Sequence, residues 1–485
     1  MLRKWGFPLF LLLILFATRL YNLTALPLHN DEGLHLTRAV EVWNLHPFWD
    51  ITDGKIINHW PIAALYPQNA SDFVARVPTI FVAMLGLAAG YALISRLFGT
   101  GAALWAAIFW IGSPYLFFYE RLAQSDAEAG ALAIVAVLAA VRLAGTGRVR
   151  DALLVGVFIS LATLMKLTAA PYALTLAGII MVFGAVPYLT RLRNLIVIGV
   201  TGILIFAIPI GYLAVSGRPF FVIALGWVDG GERVSRDGWE SNLSVFIDQW
   251  TDFGVVDFVW PVLLMAGLVL ILWYRRSVAL RMTLLGFLPA VVMIVASSTI
   301  FPRHFVAVAL PLVLLAGAGW GCLIESQLGW GKVTLSVVVL ASILASAVPV
   351  WRAAYHNPEA LPAPRTVQLE YIQAHSSGVG LREAVLEMPQ YVPKGATVIA
   401  SMFPASCRRA NFYNILGYEM FCTDAPGREA ILAELNEKGE VFVLVEASPL
   451  LGIDVATVDA RSEQLARYPR PGGISAVELY RLTVD

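Results

Sequence analysis

Seven consecutive residues, His29-Asn30-Asp31-Glu32-Gly33-Leu34-His35, place two adjacent carboxylates between two imidazoles shortly after an N-terminal apolar segment. Paired acids can take a proton from a hydroxyl or hold a cation, and imidazoles can join either task. Read as a helix start, Asn30 is the N-cap, and Asp31 and Glu32 fill the first turn, where the helix dipole favours their ionised forms. Downstream, Leu36, Val40 and Trp43 share a face suited to lying on a membrane surface, while Asp31, His35 and Arg38 share another. Plain capping with dipole complementarity fits the same residues, so chemistry here needs partners elsewhere.

Candidate partners occur in three places. Tyr119 to Asp126 brings Glu120, Arg121 and Asp126 into a short turn between apolar runs. There Asp126 can stand opposite Asp31 and Arg121 can bind an anion; alternatively Glu120 and Arg121 pair and Asp126 caps the next helix. Lys166 is the sole cation in a long apolar stretch, suited to a phosphate or, equally, to snorkelling toward the interface. Arg303 and His304, in Phe301-Pro302-Arg303-His304-Phe305, add positive charge before another apolar helix, where Arg303 can also act as a topological anchor. Carboxylates and cations gathered at a bilayer surface suit a lipid-linked phosphate donor and a hydroxyl acceptor.

The elements that must position these residues are membrane helices. Of the 485 residues 58% are hydrophobic and 14% charged, with a mean hydropathy of +0.71. Apolar runs near 5–23, 74–96, 101–118, 127–145, 152–168, 171–187, 195–215, 256–274, 280–299, 305–325 and 333–350 predict about eleven transmembrane helices. The first has the look of a signal peptide but is long enough to span and lacks a small-residue cleavage site, which predicts a retained helix. Alternate loops collect Arg3/Lys4, Arg96, Arg142/Arg148/Arg150, Arg191/Arg193, Arg275/Arg276/Arg281 and Lys332. The opposite loops hold Asp31, Glu32, Asp50, Asp53, Asp72, Glu120 and Asp126, then Asp229, Glu232, Asp237, Glu240, Asp248 and Asp252. Because basic loops stay cytoplasmic, this alternation predicts a cytoplasmic N-terminus, with outer loops 24–72 and 216–255 and the C-terminus outside. Trp227, Trp239 and Trp250 in the second of these loops fit either a carbohydrate or lipid cleft or an interfacial belt.

Composition changes after residue 350, dividing the chain into a membrane domain, 1–350, and a soluble extracytoplasmic domain, 351–485. Strands are predicted at 397–401, 441–446 and 477–482, and an amphipathic helix at 427–437, giving a small α/β fold. It carries no nucleophile elbow, phosphate loop or metal-ligand spacing. Three cysteines exclude a disulfide-dense scaffold; Cys407 and Cys422 can pair if the domain is extracytoplasmic, and Cys322 reads as a packed apolar residue. Lys and Arg, 34 together, balance 34 acids, and no basic aromatic surface suggests nucleic acid.

Asp31-Glu32 at the head of the first outer loop, Arg121 followed by Asp126, Lys166, and Pro302-Arg303-His304 before an apolar Pro-containing helix together resemble the GT-C superfamily of membrane glycosyltransferases. The chain is most similar to the branch of bacterial protein mannosyltransferases, the aminoarabinose transferase of lipid A and the rhizobial lipopolysaccharide transferases. The resemblance covers 1–350. It implies a polyprenyl-phosphate sugar donor, a lipid, glycan or protein acceptor, and a single inverting displacement at the outer face of a bacterial plasma membrane. Carried over by position, Asp31 is the general base, Glu32 supports it and Asp126 is the second-loop acid. Arg121, Lys166, Arg303 and His304 hold the departing phosphate. A divalent metal, used by some relatives, would fall to Asp31, Glu32, His35 and Asp126. Leu167 and Thr168 follow Lys166 where relatives often carry glycine. A transporter, the rival class, would instead show repeat symmetry and charges at the bilayer midplane.

Overall fold

The structure, a computed structural model, describes residues 2–48, 54–65, 71–217, 238–251, 253, 258–296, 300–402, 404–415, 417–423, 428–447, 458 and 460–484. Asp50, Asp53, Trp227, Asp229, Glu232, Asp237 and Asp252 lie outside the described residues. The chain forms two compact units, Met1–Tyr21 with Glu41–Leu65 and Arg76–Arg352, and Asn22–Val40 with Tyr66–Ala75 and Ala353–Asp485.

The first unit is helical, as lipid demands of a chain whose backbone polar groups must be satisfied within each segment. It opens with α1 (Leu2–Leu20) and the end of α2 (Asn30–Trp43), followed by α3 (Trp60–Leu65) and α4 (Asp72–Phe98). Then come α5 (Thr100–Gly112), α6 (Pro114–Glu120), α7 (Ser125–Thr146), α8 (Val149–Met165), α9 (Tyr172–Phe183) and α10 (Tyr188–Val215). After the 218–237 stretch follow α11 (Trp239–Thr251), α12 (Val259–Tyr274), α13 (Arg276–Ala296), α14 (Val306–Ser326) and α15 (Gly329–His356). Among the described residues six helices are long and apolar enough to cross a membrane, and a seventh span arises if α5 and α6 count as one. Gly6–Leu20, Leu167–Phe183 and Val259–Tyr274 are shorter apolar helices. The predicted 101–118 span is broken by a 64° bend. Ser113 stops α5 and caps α6, its Oγ accepting the Leu116 N–H at 3.3 Å, with Pro114 at the first helical position.

Small residues let these helices approach closely. A methyl on Gly317 would stand 2.6 Å from Ala106 Cα, and one on Gly321, a turn later, 2.6 Å from Ala102 Cα, so α14 lies almost against α5. A methyl on Gly130 would meet Ala307 Cα at 2.7 Å. That crossing fixes the level of what lies one turn earlier on each strand of the contact, Asp126 and Arg303. Helices α7 and α8 run antiparallel through Gly147, whose φ of 64° supplies the left-handed turn that closes α7. The reversal returns the end of α8 to the start of α7.

The second unit contains a five-stranded sheet in the order β2-β1-β3-β5-β4, formed by β1 (Thr397–Ser401), β2 (Glu419–Thr423), β3 (Glu440–Ala447), β4 (Arg461–Pro469) and β5 (Ala476–Thr483). β1 lies parallel to β2 and β3; β5 runs antiparallel to β3 and β4. Its short helices are α16 (Arg365–Gln368), α17 (Leu381–Glu387), α18 (Pro404–Tyr413) and α19 (Arg428–Lys438). Ile399, Ile431, Leu435, Val441, Val443, Val445 and Leu482 pack a core between α19 and the sheet. The predicted strands at 397–401, 441–446 and 477–482 are β1, β3 and β5, and the helix predicted at 427–437 is α19. Cys407 and Cys422 form a disulfide with a Cα–Cα distance of 5.8 Å, joining α18 to β2. The unit begins near the compositional boundary at 351, yet it also takes in Asn22–Val40, the stretch carrying Asp31 and Glu32.

Candidate functional site

In the first unit the Lys166 ammonium lies 2.7 Å from both carboxylate oxygens of Asp126, and both side chains are buried. Lys166 ends α8 in extended backbone (φ −159°, ψ 130°), which turns its side chain out of the helical register toward the first turn of α7. A charge-assisted bond at this length in an apolar setting is strong and geometrically specific. The loop before α3 is stitched alongside. The N–H groups of Ile56 and Ile57 donate to Leu164 O at 2.9 and 3.1 Å, and the Leu167 N–H donates to Gly54 O at 3.3 Å. Gly54 holds φ 71°, and a methyl there would stand 3.0 Å from Leu167 Cδ1. These bonds bring buried Lys55 beside Lys166, whose ammonium feels the charges of both Lys55 and Arg303. Sequence reading missed Lys55, because its neighbours are more than a hundred residues away; a lone lysine in Gly54-Lys55-Ile56-Ile57 was the available signal.

Arg303 and His304 sit in a 3-10 turn, Pro302–Phe305, that leads into α14. The Tyr115 hydroxyl donates to Pro302 O at 2.6 Å and anchors the turn to α6. Trp250 of α11 packs on Tyr115 with ring centroids 5.8 Å apart, whereas Trp239 is exposed. The Arg303 guanidinium lies 4.6 Å from the Phe301 ring centroid, and His304 Nδ1 accepts the Phe301 N–H at 3.4 Å. His304 therefore closes its own turn. Glu128, another residue absent from the sequence reading, is buried on α7 two positions after Asp126 and accepts the Thr79 hydroxyl at 3.3 Å.

Arg121, expected to bind phosphate, bonds backbone carbonyls in the structure. Its Nη1 donates to Arg19 O and Tyr21 O at 2.7 and 2.8 Å, with Thr18 O at 3.4 Å, and its guanidinium stacks on Phe117 at 5.2 Å. It thus caps the carbonyl end of α1, where the dipole favours a cation. Nor do Glu120 and Arg121 pair with each other. Glu120 binds Arg19 at 2.8 Å and accepts the Trp110 indole N–H at 2.6 Å, all of it buried.

In the second unit, helix α2 starts at Asn30, one residue earlier than expected, and the cap is His29 in place of Asn30. Its Nδ1 accepts the Asp31 N–H at 3.2 Å, while Glu32 Oε2 reaches back to accept the His29 N–H at 2.9 Å. This reciprocal pair is a capping box with an imidazole in place of a hydroxyl. With Nδ1 accepting, the ring proton belongs on Nε2, which faces Glu370 Oε1 at 3.6 Å; the ring also lies 4.5 Å from that of Tyr371. Glu32, expected as a metal ligand or a support for the base, is a fully buried capping group in the structure. His35 and Arg38, expected on a polar face, are buried with Leu36, while Trp43 is exposed. Asp31 lies on the partly exposed stripe of α2 with Leu34 and Thr37.

The segment before α2 is held by α18. The Leu28 N–H donates to the Tyr413 hydroxyl at 2.7 Å, and Arg409 Nη1 donates to Leu28 O at 2.9 Å. Behind Arg409 lies a buried chain: Arg409 donates to Ser406 Oγ at 2.9 Å, Ser406 donates to Glu446 at 2.9 Å, and Glu446 binds Arg470 at 2.7 Å. Burial pulls Arg409 down to about 10, against the opposing pull of Glu446, which leaves it charged at neutral pH. Among the described residues no three His, Cys, Asp or Glu side chains group as a metal-ligand set. Of the donors expected for a divalent ion, Glu32 caps α2 and Asp126 binds Lys166.

Residues 59–212, which include Asp126 and Lys166, match the Dolichyl-phosphate-mannose-protein mannosyltransferase family. The whole chain is similar in fold to ArnT from Cupriavidus metallidurans bound to undecaprenyl phosphate, with a TM-score of 0.62 over 98% of each chain at 14% identity. The apo state of ArnT gives 0.61 over 98% of this chain and 97% of that one, at 15% identity. The Archaeoglobus fulgidus oligosaccharyltransferase, crystallised with Zn and sulfate, gives 0.51 over 89% of this chain and 67% of that one, at 11% identity. No curated protein matches the sequence. A family signature over α3 to α10, helices long and apolar enough to cross a membrane, and a likeness covering nearly the whole chain lead to one assignment: this is a multi-pass membrane protein with an ArnT-like fold.

Proposed function

We propose that this protein transfers a sugar from a polyprenyl-phosphate carrier to an acceptor hydroxyl at the outer face of a bacterial plasma membrane. The observation that carries the reading is the buried ion pair of Lys166 with Asp126, with the buried cations Lys55 and Arg303 close enough for Lys166 to feel their charges. Gathering like charges where water is scarce costs free energy that a bound phosphate recovers. Asp126 pairs with Lys166 and aims its ammonium. A nearby fold relative, ArnT, was crystallised with undecaprenyl phosphate, which supports a lipid phosphate as the anion.

In this mechanism Asp31 removes the proton of the acceptor hydroxyl. The acceptor oxygen forms its bond to the anomeric carbon as the bond from that carbon to the phosphate oxygen breaks, with inversion. The lipid phosphate leaves with the electron pair, and Lys55, Lys166 and Arg303 stabilise its added charge. These steps use the protein's own side chains, and none is routed through a metal. Asp31 lies in the first turn of α2, on the partly exposed stripe of that helix.

The domain limits, 1–350 and 351–485, and the orientation with acidic loops and C-terminal domain outside, belong to the same proposal. The Cys407–Cys422 disulfide supports an oxidising compartment for that domain. Incubating the purified protein with undecaprenyl-phosphate sugars and, separately, nucleotide sugars tests the donor. Transfer from the lipid-linked donors alone is expected; use of nucleotide sugars alone overturns the proposal.

A further inference from the structure

One helix of the C-terminal domain takes both backbone polar groups of Leu28, the residue before the cap of α2. Arg409 and Tyr413 are four apart on α18 and so share a face. Tyr413 Oη accepts the Leu28 N–H at 2.7 Å and donates to Asp72 Oδ2 at 3.3 Å, while Arg409 Nη1 donates to Leu28 O at 2.9 Å. Arg409 Nη1 also donates to Ser376 O at 3.1 Å, and that same carbonyl accepts the Asn30 N–H at 3.1 Å. One guanidinium therefore fixes the chain on both sides of His29, directly at Leu28 and through a shared acceptor at Asn30. Its Nη2 bonds to His375 O and Ser406 Oγ, both at 2.9 Å, tie it to the buried Glu446–Arg470 pair. A methyl on Gly378 would stand 2.5 Å from Leu28 O, so the loop beside Ser376 is pressed against this backbone. The Cys407–Cys422 disulfide secures α18 to β2 two residues before Arg409.

We infer that Arg409 and Tyr413 are positioning residues that clamp the start of α2 and thereby set the aim of the Asp31 carboxylate, giving the C-terminal domain a direct part in the transfer reaction. The inference rests on the assignment of Asp31 as the base. Asp31 lies three residues beyond Leu28, within the first helical turn, so any slack at Leu28 passes to it through rigid backbone. Displacing a reacting group by about 1 Å costs on the order of a hundredfold in rate.

The test compares wild type with Tyr413→Phe, Arg409→Lys, Arg409→Ala and Asp31→Asn in the full-length protein. It reads turnover with an undecaprenyl-phosphate sugar, stoichiometry of undecaprenyl phosphate binding, and hydrogen–deuterium exchange over residues 26–36. The expected result is faster exchange at 26–36 in the Tyr413 and Arg409 variants, kcat lowered about tenfold in Tyr413→Phe and about a hundredfold in Arg409→Ala. Arg409→Lys falls between these, because a lysine keeps the charge but cannot span the same carbonyls. KM and binding stoichiometry stay at wild-type values, which separates misaimed chemistry from a smaller folded fraction. Should Arg409→Ala fail to fold, Tyr413→Phe, which removes one hydroxyl, decides. If Asp31→Asn is inactive while Tyr413→Phe and Arg409→Lys match wild type, the clamp is wrong and the base assignment survives. If Asp31→Asn turns over normally, the base assignment fails and the clamp with it.

Discussion

Lys166 Nζ stands 2.7 Å from both carboxylate oxygens of Asp126, one residue ending α8 and the other opening α7. The pair changes what each residue can do. Asp126 holds the Lys166 ammonium in a place where a lone ammonium would be costly. Removing one partner leaves a buried charge, so Asp126→Ala is expected to destabilise the first unit by about 3–5 kcal/mol. Lys166→Met with Asp126→Leu is expected to recover most of that stability while remaining inactive. Thermal unfolding in detergent, read beside transfer activity, checks both.

Lys55 gives the sharper assay of the donor site, since it belongs to the cluster without belonging to the ion pair. Lys55→Ala is expected to weaken undecaprenyl phosphate binding by about tenfold or more, the worth of one charge-assisted contact. Titration of that lipid phosphate checks it, and unchanged affinity would remove Lys55 from the site.

Arg121 separates anchoring from catalysis. Its bonds to Arg19 O and Tyr21 O make it a cap for α1. Arg121→Gln is therefore expected to lower stability by about 1–3 kcal/mol, the cost of buried carbonyls left without their donor, while affinity for undecaprenyl phosphate stays at the wild-type value. A drop in affinity at unchanged stability would restore the phosphate role.

The disulfide closes a loop with a sequence separation of 15 between its cysteines. A loop of that length is worth about 3 kcal/mol in the chain-entropy model, so Cys407→Ser with Cys422→Ser is expected to lower the unfolding temperature of the C-terminal domain. Because α18 carries Arg409 and Tyr413, the same change should also lower turnover. Thiol labelling before and after reduction in intact cells checks the bond and the compartment together.

Acid should weaken the second unit through His375. Burial, together with the nearby Arg470 and Arg409 charges and against the pull of Glu446, holds its pKa below the usual 6.5. The unfolded chain then binds the proton more readily than the folded one, so stability is fully present above pH 6.5 and is lost as pH falls through the depressed value. His375→Gln is expected to flatten that part of the pH–stability curve, which a series of melts from pH 7.5 to 5 would show.

How much of this was legible in the sequence depended on how local each cause was. β1, β3 and β5 are apolar runs beside or within the centre of the sheet, and their composition announced them. β4, exposed and charged from Arg461 to Arg467, has the makeup of an edge strand and carries no such signal. The break after Gly112 was written in Ser113-Pro114, and the capping box in the three-residue spacing of His29 and Glu32, but an imidazole cap is unusual enough that Asn30 looked the better choice. Long-range partners were invisible. Glu120 lies 101 residues from Arg19, and Arg409 lies 381 from Leu28; no local pattern encodes either bond. Lys166 and Arg303 were readable as charges in an apolar chain, whereas Lys55 was not, and bringing Lys166 and Arg303 together required the close approach of α7, α8 and α14 made possible by Gly130 and Gly147.

The most direct measurement is the rate of transfer from an undecaprenyl-phosphate sugar by wild-type protein and by Asp31→Asn, with undecaprenyl phosphate binding measured on the same samples. The account predicts a loss of roughly 10²–10⁴ in turnover, the range for removal of a general base, at unchanged lipid phosphate affinity. Equal turnover by the two proteins would contradict it.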